Sequence, residues 1–302
     1  MRILITGANG LLGQKLVELI TESGHELIAT SKGTNRNLLV RGYQYEKLDI
    51  TVKEDVENLL MRHKPDVVIN TAGMTNVDQC ETEQDECRAL NVTAVDHLIK
   101  ACKQTGSHLV HLSTDFIFDG EDGPYDEEAT PNPLSFYGKS KLAGEGLILQ
   151  SDINWSIART VLVYGHVNKM SRTNIVLWVK DSLEVGKKLT IVDDQWRTPT
   201  FAEDLAKGCL LIAEKGAKGV YNISGNDLLT PYELSLITAE AFGLDVTLIT
   251  QVDSSTFTQP AKRPPKTGFI IEKARKELGY VPHGFKESLN LLKAQLDIDK
   301  NG

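Results

Sequence analysis

The amino-acid sequence predicts an α/β fold: a doubly wound parallel sheet of the Rossmann type with a smaller, mixed C-terminal region. Short apolar strands alternate with longer helical segments through the first half of the chain. A glycine-rich turn joins the first strand to the first helix, and prolines interrupt the alternation in the second half. Because parallel strands need crossover connections, this order predicts helices on both faces of one sheet.

The strand candidates are short and nearly continuous in apolar residues, which is typical of strands buried on both faces. They are residues 3–5, 26–29, 66–69, 108–112 and 154–159. Apolar residues three and four apart, as at Leu12, Leu16 and Leu19, indicate helices. With glycine and proline stops, this spacing predicts a first helix ending before Gly24 and further helices over 53–63, 85–103, 202–213, 231–242 and 271–278.

Composition excludes several classes of protein. A formal charge of −8 over 302 residues argues against a nucleic-acid partner. No run approaches the roughly 18–20 apolar residues of a membrane span, and no export signal precedes the first strand. The four cysteines lack metal-ligand spacing, so we expect reduced thiols, no metal site and a cytoplasmic location; they are Cys80, Cys87, Cys102 and Cys209.

The glycine-rich turn after the first strand predicts a dinucleotide site. Small residues allow a tight turn and close approach of a pyrophosphate, while Gly13 lets the helix pack closely on the strand. The amides and dipole of the helix N-terminus then hold the negative charge. The residues expected to bind the cofactor here are Gly7, Asn9, Gly10, Leu11, Leu12 and Gly13.

The ends of the next strands favour NADP(H), with NAD(H) as an alternative cofactor. Ser31 and Lys32 stand where NAD-binding folds place a carboxylate, and a hydroxyl with a cation accepts a 2′-phosphate. Asp49 and Ile50 follow the third strand and suit an adenine contact. The small residues Thr71-Ala72-Gly73 end the fourth strand and suit passage of the cofactor over them.

These patterns divide the chain into two parts. Residues 1–164 are predicted to form the dinucleotide-binding domain, with 195–215 returning to it. Residues 165–194 and 216–302 are predicted to form a smaller substrate-binding region. Such a region would lie over the sheet edge where ligands bind in doubly wound folds.

Tyr137 and Lys141 form a Tyr-x-x-x-Lys pattern that predicts proton transfer. The same spacing occurs at Tyr43 and Lys47, so the spacing alone proves little. In an extended stretch that second pair would be about 13 Å apart, whereas residues four apart on a helix share a face. The ammonium of Lys141 is expected to lower the pKa of Tyr137 toward neutrality.

A third donor, Thr114, follows the fifth strand and is expected to polarise a substrate carbonyl. Together these residues resemble the extended short-chain dehydrogenases. The runs at 113–120 and 137–145, with Asp193-Asp194-Gln195, Pro199-Thr200 and Arg263-Pro264, resemble the dTDP-4-dehydrorhamnose reductase family.

That resemblance implies transfer of a hydride from NADPH to C4 of a 4-keto sugar nucleotide. Thr114 and Tyr137 would be the catalytic pair and Lys141 would support the cofactor. Thr114 and Asp115 would touch the sugar, while Arg263 would lie near the nucleotide diphosphate. The family's reductases sometimes form homodimers, which we therefore expect as one assembly of this chain.

One departure from the family pattern concerns the sugar. Leu162 stands where these reductases carry a tryptophan, and it offers no flat stacking surface. Trp196 is a candidate to supply that ring. The chain also resembles the NADP-binding regulatory subunit of methionine adenosyltransferase, which leaves a regulatory module as an alternative. A sugar-nucleotide epimerase or dehydratase is a third reading, although the dehydratases carry Asp-Glu where this chain has Asp115-Phe116.

Overall fold

The computed structural model describes residues 1–38, 40–170 and 172–301, and side chains through residue 298. Gly302, the last residue of the predicted C-terminal range, lies outside them. The strands are β1 (Arg2–Thr6), β2 (Glu26–Ser31), β3 (Gln44–Lys47), β4 (Val67–Asn70), β5 (His108–Thr114), β6 (Trp155–Thr160), β7 (Val163–Tyr164), β8 (Leu189–Val192), β9 (Thr200–Phe201), β10 (Gly219–Asn222) and β11 (Ile249–Val252).

Seven of the strands in the described part of the chain form one parallel sheet, ordered β10-β6-β5-β4-β1-β2-β3. The strand order reverses between β1 and β4, where the chain crosses from one half of the sheet to the other. This arrangement confirms the predicted doubly wound sheet. In such sheets the crevice at the reversal point, beyond the carboxyl ends of the strands, is where ligands bind.

Helices cover both faces of this sheet. They are α1 (Leu11–Glu22), α2 (Lys53–His63), α3 (Val77–Thr82), α4 (Gln84–Arg88), α5 (Ala94–Thr105), α6 (Phe136–Leu149), α7 (Ile175–Glu184), α8 (Ala202–Lys215), α9 (Pro231–Phe242) and α10 (Phe285–Asn301). Apolar residues of α1 and α8 build the core on one face. Those of α2 and α5 build the core on the other face. None of the described helices has the length and apolarity needed to cross a membrane.

The second half of the chain forms smaller units beside the sheet. Strands β7 and β9 pair, as do β8 and β11, and α7, α9 and α10 pack with them around two further apolar clusters. The predicted division into two parts stays a prediction. One boundary differs from the prediction. The sequence placed residues 216–302 in the substrate region, but β10 pairs with β6 along four residues and so belongs to the large sheet.

Two predicted helices differ in detail from those observed. The segment expected at 85–103 contains a π-helical turn, Ala89–Thr93, between α4 and α5. The segment expected at 271–278 is largely a π-helical turn at Ala274–Leu278. At the first of these turns, the Asn91 amide binds both the N–H and the carbonyl of Met74, at 2.9 and 3.0 Å. Local sequence does not encode such a long-range contact, because it joins residues 17 apart.

Candidate functional site

A cleft of about 630 Å³ lies beyond the carboxyl ends of the central strands. It is the place where a doubly wound sheet binds ligands. Twelve of the predicted site residues line it: Gly10, Leu11, Leu12, Gly13, Thr71, Ala72, Gly73, Thr114, Asp115, Tyr137, Lys141 and Arg263. The fold therefore brings residues from four separate sequence segments and the distant Arg263 to one surface.

The glycine-rich turn meets the geometric demands of a pyrophosphate cradle. Gly7 has φ of 72°, and the Gly10 amide donates to the Gly7 carbonyl at 2.9 Å. A Cβ on Gly13 would lie 2.3 Å from that carbonyl oxygen, so only glycine fits where α1 crosses the turn. Gly10 begins α1 without a side-chain cap, and the first turn holds no acidic residue. The first amides of α1 therefore lie at the cleft and are free to bind an anion.

Six of the remaining predicted cofactor residues are not part of the described lining. The Asn9 amide bonds the Thr34 carbonyl at 2.8 Å and so holds the loop after β2. Lys32 lies 2.8 Å from Asp49, with its side chain 82% exposed. Ile50 is buried in the core beneath α2. The roles predicted for these residues, and for Gly7 and Ser31, stay predictions.

Thr114 and Tyr137 are brought together by close packing of α6. Ser135 caps this helix by accepting from the Gly138 amide at 3.2 Å. A Cβ on Gly138 would lie 2.1 Å from the Phe116 carbonyl oxygen, so glycine is needed for α6 to approach the turn after β5. The side chains of Thr114 and Tyr137 line the same cleft, and Phe116 in that turn packs edge-on against the Tyr137 ring, with 5.8 Å between the ring centroids. The sequence placed Thr114 and Tyr137 in the site but did not show this packing.

Burial raises the pKa of Tyr137, against the expectation that Lys141 would lower it. The Lys141 Nζ instead donates to the Leu112 carbonyl at 2.6 Å and lies 3.3 Å from His111 Nε2. Burial lowers the pKa of Lys141 to about 8. The expectation was wrong for the protein by itself, because burial of the phenol outweighs the groups that would lower its pKa, and the Lys141 ammonium is bonded to the Leu112 carbonyl.

A buried polar chain runs behind Lys141 that the sequence did not reveal. Thr6 donates to the Asn70 Oδ1 at 2.6 Å, and the Asn70 amide lies 3.0 Å from His111 Nδ1. Burial and the charge of Lys141 lower the pKa of His111, so this imidazole is neutral. The only sequence signal was the presence of the polar residues His108, His111 and Ser113 in a buried strand.

Arg197 is a cleft residue that sequence reasoning missed. Its Nε lies 3.7 Å from Asp115 Oδ2, and both side chains are at most 6% exposed. The sequence drew attention to the neighbouring Trp196, whose side chain is partly exposed and lies outside the described lining of the cleft. Successive side chains in extended backbone point to opposite sides, which explains why the neighbour faces the site instead.

Arg197 also ties a distant loop to the site. Its guanidinium donates to the Pro264 carbonyl at 2.7 Å, and Thr267 in the same loop bonds Asp115 Oδ2. Arg263, one residue before this contact, lies 2.7 Å from Asp78. The hydrogen bonds of Arg263 hold the pKa of Asp78 below its usual value. The arginine predicted to meet a diphosphate is therefore held at the cleft by its contact with Asp78.

Two further residues of the lining bear on a ligand. Leu162 lies in the cleft with φ of 41°, a left-handed conformation that is rare for leucine. Ser113 Oγ is buried, and it has no hydrogen-bond partner among the residues that the structure describes. Since a buried hydroxyl without a partner is costly, this atom favours a polar ligand group beside Thr114.

Comparisons with known proteins agree with this geometry. The family model described as the RmlD substrate binding domain matches residues 1–298. A probable low-salt glycan biosynthesis reductase of Haloferax volcanii is 32% identical over 97% of this chain and 98% of its own length. Methionine adenosyltransferase 2 subunit beta of Xenopus tropicalis is 33% identical over 80% of this chain and 72% of its own length.

Solved structures are similar over nearly the whole chain. A dTDP-4-dehydrorhamnose reductase from Clostridium acetobutylicum superposes with a TM-score of 0.88 and 30% identity, covering 98% of this chain and 100% of that one. The dTDP-4-dehydrorhamnose reductase of Bacillus anthracis, solved with NADP, has a TM-score of 0.86 and 26% identity, covering 97% and 99%.

Proposed function

We propose, from the premise that this chain belongs to the RmlD substrate binding domain family, that it is an NADP(H)-dependent reductase of a 4-keto sugar nucleotide. Its class is that of dTDP-4-dehydrorhamnose reductase, with NAD(H) as an alternative cofactor. The observation that carries this proposal is that Thr114, Tyr137 and Lys141 line the same cleft as the open N-terminus of α1.

The chain's own residues fit a nicotinamide dinucleotide. The glycine cradle around Gly13 and the amides of α1 would hold the pyrophosphate, and Lys141 would donate to the nicotinamide ribose. Lys32, directly after β2, would be the cation that meets a 2′-phosphate. The unpartnered Ser113 Oγ would meet a polar group of cofactor or substrate. Once bound, the cofactor supplies the hydride.

Thr114 and Tyr137 would then handle the substrate carbonyl. Both hydroxyls would donate to its oxygen, so that negative charge developing there is stabilised. Burial keeps Tyr137 protonated in the free protein, which suits a group that must deliver a proton during reduction. Lys141 and the polar chain through His111 would hold a positive charge near the phenolate that remains.

The substrate's two ends would meet different walls of the cleft. Arg263, which contacts Asp78 in the free protein, would bind the diphosphate, because its planar guanidinium can donate two parallel hydrogen bonds to phosphate oxygens. Asp115, held by Arg197 and Thr267, would accept from a sugar hydroxyl. Leu162 gives this wall an aliphatic surface, so we propose a sugar held by hydrogen bonds more than by ring stacking.

The test is NADPH oxidation with a panel of 4-keto sugar nucleotides, run beside NADH. We expect carbonyl-dependent turnover that Tyr137→Phe reduces by at least about 100-fold, the lower range for a general acid. Tyr43→Phe is the matched control, since it removes a hydroxyl bonded to Asn35 and Asn37 outside the cleft lining. Equal activity of wild type and Tyr137→Phe would refute the proposed role.

A second candidate function is an NADP-binding regulatory subunit. Its support is the likeness to methionine adenosyltransferase 2 subunit beta, together with Leu162 in place of the tryptophan expected of the reductases. This reading predicts tight NADPH binding with no turnover on any member of the panel. Isothermal titration with NADPH, alongside the turnover assay, separates the two functions.

A homodimer and a cytoplasmic location are further proposals for this chain. Light scattering after size exclusion tests the first, since a dimer would have about twice the 33.4 kDa of one chain. Cell fractionation tests the second.

A further inference from the structure

Two buried cysteines touch each other directly behind the candidate active site. Cys80 in α3 and Cys87 in α4 are both 0% exposed, and their sulfur atoms lie 2.8 Å apart. They share one apolar cluster with Tyr137 and Met74. Cys102 and Cys209 are equally buried but lie in separate clusters, one on each face of the sheet. Only the first two, among the described cysteines, are therefore paired in space.

The surroundings of Cys87 are polar on one side. Its sulfur lies 3.3 Å from Ser140 Oγ and 3.4 Å from the Asn91 amide nitrogen. The hydrogen bond with Cys80, aided by those two groups and by the charge of Lys141, lowers the pKa of Cys87 to about 7. The same contact raises the pKa of Cys80. The pair can hold one thiolate next to one thiol.

The remaining two cysteines differ in this respect. Burial raises the pKa of Cys102 and of Cys209 to about 12. A thiol of that kind is protonated and inert toward oxidants, because the thiolate is the reactive form. Cys102 and Cys209 can therefore serve as internal controls for the oxidation of Cys80 and Cys87.

We propose that Cys80 and Cys87 form a reversible redox pair, which a hydroperoxide converts into a disulfide joining α3 to α4 behind Tyr137. The proposal does not depend on the reductase function. It assigns a modification site to a pair of residues that the catalytic scheme leaves unused. In a reducing compartment the dithiol is the resting form.

The chemistry balances with a hydroperoxide as the oxidant. The Cys87 thiolate attacks one peroxide oxygen, which forms an S–O bond, breaks the O–O bond and, with a proton, releases water from hydrogen peroxide. The Cys80 sulfur then attacks the sulfenic sulfur of Cys87, forming the S–S bond and expelling the hydroxyl as a second water with the Cys80 proton. Two thiols lose two electrons in total, and one peroxide is reduced.

The disulfide would brace the wall of the cleft. Cys87 contacts Asn91 and Ser140, which bind Met74 and the Tyr137 carbonyl respectively. A bond between α3 and α4 closes a short loop, and loop closure of that length is expected to raise the Tm by roughly 5 °C. The gain should vanish on reduction.

The experiment exposes the reduced full-length chain to hydrogen peroxide, denatures it in an alkylating reagent and maps the peptides by mass spectrometry. We expect the two cysteines of α3 and α4 to escape alkylation and to be linked, with a loss of about two mass units for two hydrogens. Cys102 and Cys209 should be alkylated fully, and dithiothreitol should restore four reactive thiols. Full alkylation of all four cysteines after peroxide would overturn the proposal, as would oxidation of Cys102 or Cys209 at the same rate.

Serine variants test which cysteine is oxidised first. Cys80→Ser removes the resolving thiol and should leave a sulfenic acid on Cys87 that a 1,3-diketone probe labels. Cys87→Ser should leave Cys80 unoxidised, and Cys102→Ser should behave as wild type. Labelling of Cys80 in place of Cys87 would contradict the assigned order. Because the wild-type map needs no variant, a folding failure in either one leaves the proposal testable.

Discussion

Replacing Arg197 by methionine tests whether its charge holds the buried Asp115 in place. The guanidinium Nε lies 3.7 Å from the carboxylate, and the side chains are 6% and 3% exposed. Methionine keeps much of the side-chain volume and removes the charge. Breaking a buried pair from one side costs about 3–5 kcal/mol, because it leaves a buried charge without a partner. At about 2–4 °C per kcal/mol, the Tm should fall by roughly 10 °C.

The loss should also depend on pH in a definite direction. Burial already raises the pKa of Asp115, against the opposing charge of Arg197. Without Arg197 that pKa rises further, so the folded protein binds a proton at Asp115 that the unfolded chain has released. A raised pKa in the folded state means that stability is lost as pH increases through it. Arg197→Met should therefore be more destabilised at pH 7.5 than at pH 5.

The assay is urea unfolding at these two pH values, with Asp115→Asn as the second arm of a double-mutant cycle. The double variant should recover part of the loss, since it no longer buries an unpaired carboxylate. Arg275→Met is the matched control: its Nε lies the same 3.7 Å from Glu272, but the side chains are 39% and 64% exposed. That variant should lose less than about 1 kcal/mol. A loss for Arg197→Met that is equally small, or that does not change with pH, would refute the reasoning.

Three other predictions follow from burial and close contact. Burial lowers the pKa of Lys141 to about 8, so above that pH the unfolded chain binds more protons than the folded one. In urea unfolding, the stability of wild type relative to Lys141→Met should therefore increase as the pH is raised from 8 to about 10. Gly13→Ala should weaken NADPH binding at least about 10-fold in a fluorescence titration, because the added Cβ would lie 2.3 Å from the Gly7 carbonyl oxygen. The control Gly146→Ala places its Cβ in open space on α6 and should stabilise the chain by about 0.5–1 kcal/mol. His111→Leu removes an acceptor for the Lys141 ammonium and should move the alkaline limb of the pH profile of turnover to lower pH. His111→Gln keeps an acceptor and should leave that limb in place. Identical pH profiles for the two variants would show that His111 has no part in the proton network.

The sequence predicted those features whose signal is local. Helix α9 has the bounds predicted for it, 231–242, and a capping box of Thr230 and Glu233 is found at its start. The alternation of strands and helices gives the parallel sheet, because each element is coded by the period of its own apolar residues. Tyr137 and Lys141 share a helix face for the same reason, since four residues nearly complete one turn.

Features that join distant segments could not be predicted in this way. Arg197 meets Pro264, 67 residues later, and Asp115 meets Thr267, 152 residues later. The choice between Trp196 and Arg197 depends on which side of an extended segment faces the cleft, and no local pattern marks that side. The pair Cys80 and Cys87 is close in sequence, yet its contact depends on how α3 and α4 fold back on each other.

By itself, the sequence determined the fold class, and it predicted the glycine cradle at α1 and the Thr114, Tyr137 and Lys141 group. Tertiary structure decided the state of that group. Burial raises the pKa of Tyr137, and the Lys141 ammonium is held by the Leu112 carbonyl and His111. The physical reason is that helices and strands are set by short-range periodicity, whereas proton affinity is set by desolvation and by partners that only the folded chain brings within reach.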